Sequence, residues 1–165
     1  PASVTATPAP TAVTAIPAPT AAAPPRTTTT AARTTATSLA TVTTAHSASS
    51  LGSQLVALAA SHAGAPYVYG GSGPSSFDCS GLVQYIYHQL GRSIPRTAQA
   101  QYDFSTKIPQ ANAQPGDLIF FGGTSSIYHV GIYAGGGMMW AAPHTGTVVQ
   151  LEKIWTTDYH VGRIS

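Results

Sequence analysis

Large apolar residues become frequent from about residue 51, and in the first stretches that contain them they recur every three or four positions. The stretch SSLGSQLVALAASHAG predicts one short helix, and the stretch from about Cys79 to Leu90 predicts a second. Gly64 and Gly91 follow these two stretches and supply the usual helix stop signal. The segment PRTAQAQYDF predicts a third, shorter helix.

Beyond the third helix the apolar spacing changes to two, which is typical of half-buried strands. QPGDLIFFGG predicts a turn into a strand, and HVGIYAGGGMMWAAP predicts a hairpin around Gly135–Gly137. TVVQLEKI and YHVGRIS predict further strands. Helices followed by a mainly antiparallel meander predict an α+β fold, with the helices packed on the sheet.

The N-terminal part has a different composition, being almost entirely Ala, Thr, Pro, Ser and Val up to residue 50. Within it, VTATPAPTA at Val4–Ala12 recurs as VTAIPAPTA at Val13–Ala21. So few large apolar groups do not offset the entropy lost on ordering a chain. We therefore predict a disordered tail or linker over 1–47 and a folded domain over 48–165.

Charge and hydropathy limit the partners that this chain is expected to have. The net charge of +2 comes from two arginines in the tail, so the remainder is formally neutral with histidine uncharged. Because no basic patch is present, nucleic acid is not an expected partner. No apolar run is long enough to span a bilayer, and neither an initiator Met nor a signal-peptide pattern is present. The sequence is that expected of a mature form or an excised C-terminal piece, and we expect a monomer.

The chain has one cysteine, Cys79, which lies in FDCSGLVQYIYHQLG directly after Asp78. A lone cysteine is often a small buried apolar residue. In the first turn of a helix, however, it faces unpaired backbone N–H groups and the positive end of the helix dipole, which lower the pKa of a thiol. Asp78 opposes this effect unless its side chain turns away to cap the helix or to bind substrate.

A nucleophilic cysteine needs a base, and His129 is the best placed of the six histidines. It begins the predicted strand HVGIY, and a strand end is a rigid mount for a general base. A histidine with a purely structural role is the alternative. One thiol is too few for a cysteine-based metal site, and neither a metal nor an organic cofactor is expected.

Several ordered blocks resemble the signature blocks of the NlpC/P60 family of cell-wall cysteine peptidases. They are PYVYGG, FDCSGLVQYIY, IPRTAQAQ, QPGDLIFF and HVGIYAGGGMMWAAP, and the resemblance covers about 51–165. It implies a papain-like α+β core and hydrolysis of peptidoglycan stem peptides. The bond is usually the one between γ-D-glutamyl and a diamino acid such as meso-diaminopimelate, and the location implied is secreted or envelope-associated.

The resemblance also implies roles for particular residues. Cys79 corresponds to the nucleophile that forms a thioester acyl-enzyme, and His129 corresponds to the base. Tyr67 resembles the loop tyrosine near the catalytic centre. Asp78 and Ser80 resemble residues that shape the pocket for the L-Ala side of the stem. The resemblance assigns no role to Arg96, which is either structural or a contact for a substrate carboxylate.

The chain departs from the family pattern at the third catalytic position, where a His, Asn, Gln or Glu is usual and Ala141 is found. A turn at Gly135–Gly136 predicts that His129 lies opposite Ala142, or opposite Ala141 after a shift of one residue. Neither alanine side chain holds an imidazole. His144 is the nearest replacement, and the alternative is that a backbone carbonyl or water holds His129.

Three function classes remain open from the sequence. The favoured one is a D,L-endopeptidase acting on peptidoglycan. The second is a thiol amidase or acyltransferase on the same core. The third is a wall-binding module with weakened or lost catalysis, which the alanine at position 141 motivates.

Overall fold

The computed structural model of the chain describes residues 51–165, so the predicted tail lies outside the described residues. The helices are α1 (51–61), α2 (Cys79–Gln89) and α3 (Ala98–Phe104), and a 3₁₀ turn lies at Gln110–Asn112. The strands are β1 (Thr106–Ile108), β2 (Leu118–Gly123), β3 (Ser126–Gly135), β4 (Met138–Ala141), β5 (Gln150–Lys153) and β6 (His160–Arg163). The predicted α+β class is confirmed.

Helix α2 begins where the sequence predicts because Asp78 caps it. The Asp78 side chain accepts a hydrogen bond from the backbone N–H of Gly81 at 2.6 Å, which satisfies one of the free donors of the first turn. The apolar stripe of Leu82, Val83 and Ile86 is fully buried. The helix therefore holds Cys79 at its start on an anchored element.

All pairs of neighbouring strands in the sheet are antiparallel, and the strand order is β1-β6-β2-β3-β4-β5. Strands β2 to β5 form the predicted meander. The last strand returns to pair with both β2 and β1, and β1 was not predicted because three residues carry too little periodicity. The helices α2 and α3 both pack against β3.

The two faces of the sheet have different coverings. Phe120, Val130 and Ile132 belong to the core shared with the helices. Phe121 and Met139 belong to a second cluster on the opposite face, which we call the second face; its other buried members are Ile119, Ala141 and Val161.

The hairpin between β3 and β4 has a register that the sequence did not predict. Gly135 pairs with Met138, so the turn residues are Gly136 and Gly137, both with positive φ. Ile132 pairs with Trp140, and the register shifts between Tyr133 and Gly135. The predicted register was wrong because the turn lies one residue later and a bulge adds one residue to β3.

The consequence is a different neighbour for His129. Extending the register of the Ile132–Trp140 pair places Gly131 beside Ala141, the last residue of β4, and carries His129 past the end of that strand. Neither of the two alanines lies directly opposite the histidine.

Candidate active site

One cavity contains both residues predicted to carry catalysis. Cys79 and His129 line it together with side chains from several loops and from β5. The full lining is Tyr67, Cys79, Tyr128, His129, Pro143, His144, Gln150, Glu152 and Trp155. We refer to it as the Cys79–His129 cavity. The predicted residues Asp78, Ser80 and Arg96 do not line this cavity and are joined to one another by hydrogen bonds.

The helix start brings the thiol of Cys79 against β3. Backbone hydrogen bonds from Val130, on β3, and from Ser80 favour the thiolate. Burial and the charge of Asp78 are nevertheless larger effects, and together they raise the pKa of the Cys79 thiol above its ordinary value. The expectation of a lowered thiol pKa was wrong because the first turn of α2 is buried and an acid adjoins it.

His129 is the fourth residue of β3, so the expectation that it begins the strand was wrong, and its side chain is only 5% exposed. Its ring centroid is 5.7 Å from that of Phe121 and 5.6 Å from that of Trp155. Burial, with a smaller contribution from the charge of His144, lowers the pKa of His129 to about 4. The imidazole is therefore neutral at pH 7, which is the protonation state that a general base needs.

One nitrogen of that imidazole lacks a partner. Nε2 of His129 is buried and accepts or donates no hydrogen bond to any group in the part of the chain that the structure describes. A buried polar atom without a partner costs about 1–3 kcal/mol. The site therefore holds its base through packing against Phe121 and Trp155, with no hydrogen bond to Nε2.

Asp78 turns away from the thiol and forms a network at the helix start. Its Oδ2 accepts the backbone N–H of Gly70 at 3.0 Å, while Oδ1 accepts that of Gly81. Arg96 donates to Oδ1 at 3.0 Å and to Oδ2 at 2.6 Å, and to the hydroxyl of Ser80 at 3.0 Å. This network ties the loop around residue 70 to the start of α2.

Tyr67 comes from the loop before α2 and lines the cavity beside Cys79. Its backbone N–H donates to the carbonyl of Thr147 at 2.9 Å, and it forms a parallel bridge with Phe77. Burial raises the pKa of the Tyr67 phenol, with smaller contributions from the charges of Cys79 and Asp78. The hydroxyl therefore stays protonated and is available as a hydrogen-bond donor toward the cavity.

The usual third position is occupied by a side chain that cannot form a hydrogen bond. Ala141 is fully buried on the second face beside Met139. His144 is exposed in the loop after β4, and its Nδ1 lies 3.0 Å from the carbonyl of its own neighbour, Thr145. Within residues 51–165 no hydrogen bond joins His144 to His129, so its orienting role stays a prediction.

Sequence reasoning missed Tyr128 on β3 and two polar residues on β5 that also line the cavity. Gln150 pairs with Ala141 and Glu152 pairs with Met139, which places both on the second face. The Gln150 amide Nε2 donates to Glu152 Oε2 at 3.4 Å, and Glu152 Oε1 is buried without a partner. Alternation in TVVQLEKI could have shown that the two share a face. The pairing of β5 with β4 needed the tertiary structure.

Comparison with known proteins identifies the family. Residues 64–162, more than half of the chain, match the NlpC/P60 family. The chain belongs to the NlpC/P60 family. The probable endopeptidase p60 of Listeria grayi is 48% identical over 103 residues, which cover 62% of this chain and 20% of that protein. The bifunctional muramidase/DL-endopeptidase CwlT of Bacillus subtilis (strain 168) is 49% identical over 87 residues, covering 50% of this chain and 26% of that protein. The chain thus spans about a quarter or less of the length of these relatives.

Solved structures of the NlpC/P60 family share the fold. The NlpC/p60 domain of the peptidoglycan hydrolase SagA aligns with a TM-score of 0.65 and 38% identity, covering 68% of this chain and 98% of that one. RipD from Mycobacterium tuberculosis, described as a non-catalytic NlpC/p60 domain protein adapted to peptidoglycan binding, aligns with a TM-score of 0.62 and 28% identity. The alignment with RipD covers 70% of this chain and 98% of that one.

The described part of the NlpC/P60 domain contains neither a membrane-spanning helix nor a cluster of metal ligands. In the described range 51–165, no helix is both long enough and apolar enough to cross a membrane. The same residues contain no group of three or more His, Cys, Asp or Glu that could hold a metal ion.

Proposed function

We propose that this protein is a cysteine endopeptidase that cleaves peptidoglycan stem peptides, at the bond between γ-D-glutamyl and a diamino acid such as meso-diaminopimelate. The observation that carries the proposal is the shared cavity of Cys79 and His129, with the thiol at a helix start and the imidazole on β3. The names of the relatives support this reaction class.

The resting thiol and imidazole are both neutral at pH 7, so proton transfer accompanies the attack. Nδ1 of His129 takes the Sγ proton as Sγ of Cys79 bonds to the scissile carbonyl carbon. The carbonyl oxygen gains the negative charge, and the backbone N–H of Cys79, which has no intrahelical acceptor in the first turn, stabilises it.

The intermediate then collapses to a thioester. The C–N bond breaks, and the imidazolium of His129 returns its proton to the leaving amine. Water next attacks the thioester, with His129 accepting one water proton, and the C–S bond breaks. The Cys79 sulfur regains a proton, and the acyl portion leaves as a carboxylic acid.

The network of Asp78, Ser80 and Arg96 supports binding of the L-Ala side of the stem. The Asp78 carboxylate already receives Arg96 and the helix N–H groups, so its position is set before substrate arrives. The Arg96 side chain is 35% exposed, and the hydroxyl of Tyr67 is available as a donor. We assign Tyr67, Asp78, Ser80 and Arg96 to substrate binding, in a monomer that works outside the cytoplasmic membrane.

A second candidate function is peptidoglycan binding without cleavage. It is favoured by Ala141 at the third position and by the likeness to RipD. A thiol amidase or acyltransferase uses the same nucleophile and base, and only its products distinguish it.

Digestion of one defined disaccharide–tetrapeptide, followed by mass analysis, tests these candidates together. Release of a diamino acid–D-Ala fragment by the wild type, and its absence with Cys79→Ala, is the expected result. Cleavage at the sugar–L-Ala amide, or a transferred acyl group, would replace the endopeptidase with the amidase or acyltransferase. Saturable binding of the muropeptide with no new product would establish the binding module.

A further inference from the structure

The catalytic base needs a hydrogen-bond acceptor for Nε2, and His144, the residue expected to supply one, forms no hydrogen bond to it in the described residues. If Nδ1 of His129 faces the thiol, the proton of the neutral ring sits on Nε2 and requires an acceptor to set tautomer and ring angle. Nε2 is buried and unpartnered, and Ala141 offers no polar atom. An acceptor must come from another element that reaches the second face.

Strand β5 is the element whose polar side chains reach that face. Gln150 pairs with Ala141, and Ala141 faces Gly131 across the hairpin. Only Ala141 and Gly131, which have little or no side chain, thus lie between Gln150 and the residues level with His129. A Cβ added at Gly131 would meet the sulfur of Met139 at 2.8 Å, so this line is narrow and a larger residue would close it.

Strand geometry selects one residue of β5. Gln150 lies two strands and two residues from His129, so their Cα atoms are about 12 Å apart at ordinary sheet spacings, which two extended side chains and one hydrogen bond span. Glu152 lies two residues further along, so its Cα is about 17 Å from that of His129, which is too far for two side chains and one hydrogen bond to span. Both residues line the Cys79–His129 cavity.

We propose that Gln150 is the positioning residue for His129 and takes the place left by Ala141. In this assignment the Gln150 side chain turns toward β3 so that its amide Oε1 accepts the Nε2–H of His129, a hydrogen bond that the described structure does not yet contain. The carboxylate of Glu152 accepts the amide Nε2–H of Gln150, which is the contact already present at 3.4 Å. That contact decides the orientation of the amide, because only its nitrogen donates to a carboxylate, and it leaves the oxygen for the imidazole.

His144 is a weaker candidate for the same role. It is exposed, its Nδ1 lies beside the carbonyl of Thr145, and its positive charge opposes protonation of His129. A residue that orients a base should favour its protonation, because the base becomes an imidazolium during the reaction. Other titratable groups of the cavity are Cys79 from α2, Tyr67 and Tyr128 from loop and strand, and Glu152 from β5.

The tautomer and titration of His129 test this assignment directly, whatever reaction the protein catalyses. Histidine-labelled (¹⁵N) wild type, Gln150→Ala and Gln150→Glu are compared by NMR, with Leu151→Ala as the control on the same strand. We expect His129 to be the Nε2–H tautomer in the wild type and a mixture in Gln150→Ala. In Gln150→Glu its pKa should rise by about one pH unit or more, because a carboxylate then faces the imidazolium. Leu151→Ala should match the wild type.

The catalytic consequence rests on the proposed function and is measured separately. Gln150→Ala should lower kcat about 10- to 100-fold with KM little changed, and Gln150→Ala combined with Ala141→Asn should recover most of it. Unchanged His129 tautomer and titration in both Gln150 variants would overturn the assignment. If the wild type cleaves no muropeptide while the NMR differences appear, the assignment stands and the proposed endopeptidase activity fails.

Discussion

The guanidinium of Arg96 binds the carboxylate of Asp78 through both terminal nitrogens, at 3.0 Å and 2.6 Å. Asp78 directly precedes Cys79, whose thiol pKa it raises. Arg96 therefore serves two purposes, since it fixes the cap of α2 and offsets the charge of the acid next to the nucleophile.

Arg96→Ala should slow thiol chemistry and weaken the fold. Without the guanidinium, the Asp78 charge acts on the thiol unopposed, so the pH at which iodoacetamide labels Cys79 half-maximally should rise. Loss of a charge-assisted pair should lower the free energy of unfolding by about 1–2 kcal/mol. Arg96→Lys is the matched control, and because it retains the positive charge it should lose less stability and shift the labelling pH less than Arg96→Ala. An unchanged labelling profile in Arg96→Ala would show that Arg96 does not offset Asp78.

Cys79→Ala should abolish muropeptide hydrolysis and leave the fold intact, because removing one sulfur at a helix start is a small change. Mass analysis of products and a circular dichroism melt check the two parts. In the native wild type, half-maximal alkylation should require a pH above the ordinary thiol pKa of about 8.5, since burial and Asp78 raise it. Half-maximal alkylation near pH 6 would instead indicate a preformed thiolate–imidazolium pair.

His129 makes stability depend on pH in acid. Its folded pKa of about 4 lies below the ordinary 6.5, so between these values the unfolded chain binds more protons and stability falls as pH falls. From pH 7 to pH 4.5 the loss should be about 2 kcal/mol from this group. Urea unfolding of wild type and His129→Gln at both pH values isolates it. If the free energy of unfolding falls by the same amount in both proteins, the low pKa of His129 is contradicted.

His144→Ala should leave turnover within about twofold and raise the pKa of His129 slightly, because a nearby positive charge is removed. Steady-state kinetics on soluble muropeptide and an NMR titration measure both effects. A hundredfold loss of kcat, about 2.7 kcal/mol of barrier, would assign the orienting role to His144 and not to Gln150.

Deletion of residues 1–45 should leave the melting temperature and the activity on soluble muropeptides nearly unchanged, because that composition is not expected to form a core. The full chain is the reference. A clear drop in melting temperature would show that the deleted segment packs on the domain.

The sequence by itself determined the elements with strong local signals. The stripe of α2, its start at Asp78 and the alternating strands β2 and β3 follow from periodicity and capping, which involve near neighbours only. The same blocks also singled out Cys79 and His129, because a helix start and an alternating apolar pattern are local features, although β3 begins three residues before His129. Strand β1 has three residues and gives no usable period.

Only the tertiary structure decided how distant parts act on one another. The bulge in β3 and the later turn set the hairpin register, which placed His129 beyond Ala141, the last residue of β4. Burial of the first turn of α2 reversed the expected shift of the thiol pKa, because desolvation depends on everything packed around Cys79. The polar pair on β5 entered the cavity because Gln150 pairs with Ala141 and Glu152 pairs with Met139, and the periodicity of a single strand does not specify which strand it pairs with.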